Sequence, residues 1–224
     1  MTDSTTIAPS NSLKMLRAMA GIGVLCGLLI VLTYEGTLPR IELLRAQALE
    51  EAIFKVVPGI TQMQAYTYKN NAFVPAEETD LDVVYAGYDS EGAFKGIAIV
   101  ATGQGYADVI KIIYGYDPEK EQVVGFYVLE SKETPGLGDK IEKDPTFLEN
   151  FKGLDVTLNA DKTALKNQVI TVKKGTKTNA WEVDGISGAT ISSRAIGEIL
   201  KQSTSEWVPL IYQNKTAFKS RGNE

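Results

Sequence analysis

The sequence contains no histidine and a single cysteine. Without an imidazole there is no Ser-His-Asp or Cys-His catalytic set, no histidine-ligated zinc and no histidine-ligated haem. One thiol, Cys26, forms no disulfide within the chain and holds no iron–sulfur cluster, because both need further sulfurs. Redox chemistry, if present, therefore falls to an organic cofactor. A basic surface is missing too. Net charge is −5, and beyond residue 34 there are 21 Lys and Arg against 27 Asp and Glu. That balance argues against nucleic acid as a partner, since binding it needs cations to neutralise phosphates. Internal repeats and low-complexity tracts are absent as well.

Charge is also missing from residues 18–34, an apolar run with Cys26 in its middle. Its 17 residues span about 25 Å as a helix, and Lys14 and Arg17 can snorkel, which extends the usable length back to Leu13. Thr33-Tyr34-Glu35-Gly36 offers no small-residue cleavage site. A lipidated cysteine would end the run rather than bisect it, and a soluble helix is seldom apolar on every face. The reading is a tail over 1–13 and an uncleaved single-pass anchor over 14–34, set in the cytoplasmic (inner) membrane. Lys14 and Arg17 before the span balance Arg40 and Arg45 after it. The first pair lies nearer the membrane, which favours a cytoplasmic N-terminus and a large domain on the extracytoplasmic, periplasmic side.

Residues 35–59 read as a juxtamembrane helix, with Ile41, Leu44, Ala48, Ala52 and Val56 at helical spacing and Pro58-Gly59 as the stop. Residues 60–224 remain for one domain. Residues 61–79 are polar and aromatic without periodicity. Strand-like runs follow at 81–88, 94–101, 109–116 and 122–129, with turns at Asp89-Ser90-Glu91-Gly92 and Asp117-Pro118-Glu119-Lys120, which indicates an antiparallel meander. Asp144-Pro145 reads as the N-cap and first-turn proline of a short helix through Phe151. Residues 169–173 suggest another strand. A last helix starts at Thr190 or Ile191, with Ile191, Ala195, Ile199 and Leu200 on one face, and Pro209 is expected to end or kink it. Strands followed by helices give an α+β fold: an antiparallel sheet with flanking helices behind one transmembrane helix.

Two strings carry chemistry. Asp184-Gly185-Ile186-Ser187-Gly188-Ala189-Thr190 is a turn of small residues that delivers hydroxyls to a helix start. Unpaired N–H groups and the positive dipole end there suit a phosphate. Taken alone, the same string also reads as an ordinary Ser/Thr cap after a glycine turn. Glu133-Thr134-Pro135-Gly136-Leu137-Gly138-Asp139-Lys140 is a tight turn whose glycines let backbone approach a planar ligand, or simply a strand–helix loop. Two other strings fail. Gly103-Gln104-Gly105 starts like a dinucleotide fingerprint, but Asp108 replaces the third glycine and a strand follows. Gly185-Ile186-Ser187-Gly188-Ala189 starts like a nucleophile elbow, but it ends in alanine and no histidine could serve it.

The order Asp-x-x-Ser-Gly-Ala-Thr resembles the flavinylation motif of the FMN-binding domain family, and Glu-Thr-Pro-Gly-Leu-Gly resembles that family's second signature. The resemblance implies FMN esterified through its phosphate to Thr190 by a dedicated flavin transferase, which makes Thr190 a phosphorylated threonine. It implies Asp184 as the leading acid, with Ser187, Gly188, Ala189 and Ser192 beside the attachment point; Ser187 and Ser192 are the next acceptors in line. It also implies that Glu133, Thr134, Gly136, Leu137 and Gly138 lie against the ring, where Glu133, Thr134 and Lys140 could tune it. Neither catalytic residues nor a metal are implied. Within this family the chain is similar to the G subunits of Rnf complexes, ferredoxin:NAD oxidoreductases that move Na⁺ or H⁺. The anchor, the length, Gly105-Tyr106 with the segment that runs to Asp117-Pro118-Glu119, and Asp139-Lys140 carry that likeness. It implies an electron-transfer protein embedded in the membrane among other membrane and redox subunits. One departure is Ser131-Lys132, where relatives lead one to expect histidine; it bears on an imidazole near the flavin, not on attachment. The alternatives are the related C subunit of the Na⁺-translocating NADH:quinone reductase and a cofactor-free anchored scaffold.

Overall fold

The computed structural model describes residues 12–77 and 82–219. Most of the expected tail, Leu81 at the head of a strand, and positions from 220 onward lie outside the described residues. Residues up to Gln47 form one compact unit and those from Ala48 a second. Helix α1 (Ser12–Val56) supplies the described part of the first and opens the second. Its apolar part is long enough to cross a membrane, and none of it is buried. Leu16, Val24 and Ile30 are among its exposed side chains, an apolar surface of the kind that a membrane covers. Pro39 sits inside α1 without ending it. The apolar span and the helix read after it are thus one continuous helix.

The second unit is built on seven strands: β1 (Gln62–Lys69), β2 (Ala72–Pro75), β3 (Val83–Tyr88), β4 (Phe94–Gln104), β5 (Val109–Asp117), β6 (Gln122–Glu130) and β7 (Leu154–Asp155). They pair antiparallel in the order β2-β1-β3-β4-β5-β6-β7. The meander β3–β6 follows its apolar runs. The β1–β2 hairpin is not legible as strands in the 61–79 segment. Its turn is Asn70-Asn71, both at positive φ, the backbone that a two-residue hairpin loop with strand-matched twist demands. Strand β7 has no signature in the sequence either.

Alternation along the strands sorts side chains onto two faces. On one, Ile97, Ile99 and Ala101 of β4 and Ile110, Ile112, Tyr114 and Tyr116 of β5 pack with Ile196, Ile199, Leu200 and Val208 of α4 (Thr190–Gln213). Tyr114 Oη also reaches Ser203 Oγ at 2.8 Å across that contact. On the other, Ala98 and Ile113 meet Ala52, Ile53 and Val56 from the end of α1, together with Val57. Of the five apolar positions expected to dock, Ala52 and Val56 are buried, while Ile41, Leu44 and Ala48 are exposed. The cross-strand pair Gly115 and Gly125 makes this approach possible. A β-carbon on either would strike the Val56 carbonyl, so main chain lies directly on the sheet where side chains are missing.

Two short helices, α2 (Lys140–Lys143) and α3 (Pro145–Glu149), lie between β6 and β7. Asp144 caps α3 as expected, its carboxylate accepting from Thr146 N at 2.9 Å. A two-stranded parallel pair, β8 (Ile170–Val172) and β9 (Glu182–Asp184), leads into α4. At Gly197 a β-carbon would collide with the Thr171 side chain, so the missing side chain lets β8 lie on α4. Two positions of α4 bear on the expectations. Of an end or a kink at Pro209, the end is ruled out, since the helix runs on to Gln213; Val208, Pro209 and Ile211 are all buried there, and packing outweighs one lost hydrogen bond. Ile191 faces away from the core at 55% exposed; the buried stripe is set by Ser192, Ile196, Ile199 and Ser203.

Candidate cofactor site

The chain leaves β9 at Asp184 and enters α4 at Thr190. Gly185 is closed in, with a β-carbon position 2.7 Å from the Val172 carbonyl. Gly188 stands at φ +84°, a conformation natural to glycine. The N-cap position is Ala189, buried and without a side-chain cap. Thr190 is the first helical residue, not the cap, so the turn is not an ordinary Ser/Thr cap. Alanine offers no acceptor, and the first backbone bond closing back onto the turn runs from Ser193 N to the Ala189 carbonyl at 2.9 Å. The amides of Thr190, Ile191 and Ser192 therefore begin a 24-residue helix without side-chain partners, at its positive dipole end. Thr190 is exposed, and its hydroxyl is not engaged with another described residue.

The Glu133 loop comes to this turn because Glu133 ties it there. Its carboxylate is 5% exposed. One oxygen accepts from Tyr106 N at 2.8 Å and Ala107 N at 2.9 Å, and the other accepts from Ser192 Oγ. Three segments are thus pinned by one side chain: the β4–β5 loop, the 131–139 loop and the first turn of α4. Gly105 and Gly138 give the carboxylate its room, since a β-carbon on either would run into it. Further along, Asp139 accepts from Gly136 N at 2.7 Å and from Lys143 Nζ at 2.7 Å. The Lys143 ammonium, helped by that amide, holds the Asp139 carboxyl below its usual range. Gly136 sits at φ +79° with open space beside it, so the turn and not crowding selects glycine.

Two cavities border Thr190. One, of about 360 Å³, is rimmed by Tyr106, Leu137 and Ile191, with Thr134, Gly188 and Thr190 in its wall. The three large rim residues are 66%, 53% and 55% exposed and give the cavity an apolar opening. The other, of about 370 Å³, is lined by Lys173, Lys174, Ser187, Thr190 and Arg194 among others. The Ser187-to-Thr190 turn stands between them as a ridge. A wider cleft of about 610 Å³ around Lys111, Glu130 and the Asp108–Lys132 ion pair contains no motif residue.

The two strings therefore meet, although some fifty residues separate them. Glu133, Thr134, Leu137, Gly138, Gly188, Ala189, Thr190 and Ser192 share the first cavity, and Ser187 lies on the second. Gly136 and Asp184 line neither. Gly136 shapes its turn, and the Asp184 carboxylate accepts from Gly175 N at 2.7 Å, bracing the Lys173-Lys174 loop. The Asp184 backbone is itself bracketed by the Asn150 amide, which accepts at 3.0 Å and donates at 3.2 Å. Lys140 Nζ stands 3.9 Å from the β-carbon position of Gly188. Sequence reasoning missed Tyr106, Ile191, Lys173, Lys174 and Arg194 as site residues. The adjacent lysines before Gly175 were the one visible signal.

The chain is similar to known proteins. The model of the FMN-binding domain family matches residues 105–205, which span both strings. The G subunit of the ion-translocating oxidoreductase complex of Methanosarcina acetivorans is 30% identical over 200 residues, covering 89% of this chain and 94% of its own. The G subunit of the same complex in Aliivibrio fischeri strain MJ11 is 30% identical over 206 residues, covering 89% of each. Among solved structures, the C subunit of the Na⁺-translocating NADH-quinone reductase of Parabacteroides distasonis aligns with a TM-score of 0.55 at 27% identity, covering 68% of this chain and 78% of its own. The chain belongs to the family of ion-translocating oxidoreductase complex G subunits and contains their FMN-binding domain.

Proposed function

We propose that this protein carries FMN joined through its phosphate to Thr190 and passes electrons within a ferredoxin:NAD-type ion-translocating complex of the membrane. The observation that carries the reading is the uncapped start of α4, where an unengaged threonine hydroxyl borders an apolar-rimmed cavity. The fit is chemical as well as spatial. The amides of the first turn and the helix dipole stabilise one phosphodiester charge. A cavity of about 360 Å³ falls in the range that holds small ligands. Bound FMN supplies one- or two-electron transfer. The chain's own residues hold and shield: Glu133 fixes the loop against α4, and Tyr106, Leu137 and Ile191 keep water from one face of the cavity. No general acid or base is assigned, because electron transfer needs none. Flavin fluorescence in the denatured band on a gel tests the covalent link. A dark band from correctly matured protein would favour the cofactor-free scaffold.

The remaining subunits and a flavin transferase are the partners this reading requires. The likeness to a quinone-reductase protein leaves the same chemistry in another complex as the second reading, and co-purification of the neighbouring subunits with the anchored chain discriminates the two. The large domain is assigned to the extracytoplasmic side from the nearness of Lys14 and Arg17 to the span. Protease added to spheroplasts should remove it; digestion only in inverted vesicles would reverse the assignment.

Leu137 tests the ring side. Leu137→Ala removes an exposed rim residue, so the flavin absorption envelope and potential should shift while melting stays within about 2 °C of the parent. Gly136→Val is a poor substitute, because its positive φ strains any branched residue and the whole loop would suffer. An unchanged spectrum in Leu137→Ala would remove this loop from the flavin's surroundings.

A further inference from the structure

The second cavity has no part in the ring-binding argument, yet it shares Thr190 with the first. Its charged lining is entirely basic: Lys173 and Lys174 from the end of β8 and the turn after it, and Arg194 one turn into α4. None of the three forms a salt bridge with another described residue. The three exposed cations gathered around one concavity stand out in a domain whose acids outnumber its bases. Their placement is built rather than incidental. Gly197 lets β8 lie on α4, the Thr171 hydroxyl donates to the Ser193 carbonyl at 3.3 Å, and Asp184 pins the loop at Gly175. Ser187 adds an exposed hydroxyl to the same wall.

We propose that this cavity is the phosphate subsite of the flavin nucleotide, with Lys173, Lys174 and Arg194 as its cationic wall, so that the cofactor is divided across the ridge. The phosphoryl group faces the basic cavity and the ring lies in the apolar one. A phosphate on the Thr190 oxygen would border the cavity that Thr190 lines together with Lys173, Lys174 and Arg194, and a flexible ribityl chain would leave the ring free to occupy the apolar cavity that Thr190 also lines. The wall then makes the site prefer a flavin that bears a phosphate before any bond forms. This inference rests on Thr190 being the attachment point. Lys140, near Gly188 on the other flank, is the competing cation.

Thr190→Val in the full-length, detergent-solubilised chain isolates the non-covalent step. Titrating it with FMN and with riboflavin, followed by quenching of flavin fluorescence, should show FMN binding about tenfold tighter or more, with the advantage shrinking in high salt. Adding Lys173→Gln, Lys174→Gln and Arg194→Gln together should bring FMN down to the riboflavin value and leave riboflavin unmoved, whereas Lys140→Gln should keep the preference. Equal affinities in the parent, no binding of either flavin, or a preference that survives the triple change and vanishes with Lys140→Gln would each overturn the assignment. Failure of the parent reading looks different: wild-type protein that carries no covalent flavin at all.

Discussion

A Thr190→Val protein should contain no covalent FMN, and its intact mass should equal that of the bare chain. The wild type should be heavier by one FMN less one water. The effect is all-or-none because valine keeps the shape of threonine and removes only the oxygen that would accept the phosphoryl group. Stability should hardly change: the hydroxyl is exposed and unengaged, and surface substitutions of this kind stay within about 0.5 kcal/mol. Circular dichroism and melting therefore accompany the mass measurement as controls for folding. An adduct that persists in Thr190→Val would move the attachment elsewhere. Ser187, exposed on the same turn, would come first. Ser192 is the weaker candidate because its hydroxyl is buried and already given to Glu133.

Replacing Glu133 by alanine should be the most damaging single change outside the apolar core. It leaves two part-buried backbone N–H groups and one buried hydroxyl without their acceptor. A stranded buried donor costs about 1–3 kcal/mol, and the N–H groups of the exposed Tyr106 and Ala107 recover part of this from water. We expect a net loss of about 3 kcal/mol, which lowers the melting temperature by about 6–12 °C in a domain of this size. The same change unties Tyr106 and the first turn of α4 from the loop, so attached flavin should become more mobile, read as a fall in fluorescence anisotropy. Glu133→Gln should lose less than half as much. Its amide oxygen still serves Tyr106 and Ala107, and its amide nitrogen can donate to the Ser192 hydroxyl. A melting temperature within about 2 °C of wild type in Glu133→Ala would show that the carboxylate does not hold these segments together.

The contrast between Thr190 and Glu133 shows where the sequence was readable. The turn proposed for attachment stood out because its small residues, hydroxyl and helix start all fall within seven positions, although those marks alone read equally well as an ordinary cap, and only their order resembles a flavin motif. The meander β3–β6 was legible for a similar reason, since period-two alternation and turn residues are local too. Glu133 gave a different kind of signal. Its place in a motif suggested contact with the ring, but its three partners lie 26 to 59 positions away, and no local pattern encodes that. The β1–β2 hairpin was lost because Tyr, Thr and Gln populate both faces of a strand whose exposure is intermediate along most of its length, which erases alternation. Asn70-Asn71 was the remaining clue. Pro209 does not end α4, because helix propensity is weighed residue by residue, whereas the burial that overrides it is a property of the packed whole.

The glycine seat on the sheet has a practical bearing on where this chain can be cut. The alignment of apolar runs suggests trimming after the anchor and its following helix, near residue 60, and every strand of the large sheet survives that cut. Yet it strips Ala52, Ile53, Val56 and Val57 from the sheet and bares Ala98, Ile113 and the two flat glycines beneath them. The excised fragment would be left with an adhesive, featureless patch, a surface that favours self-association over solubility. The second compact unit thus begins inside α1, at Ala48, and a crystallographer or spectroscopist who wants that domain alone should take the last two turns of the helix with it.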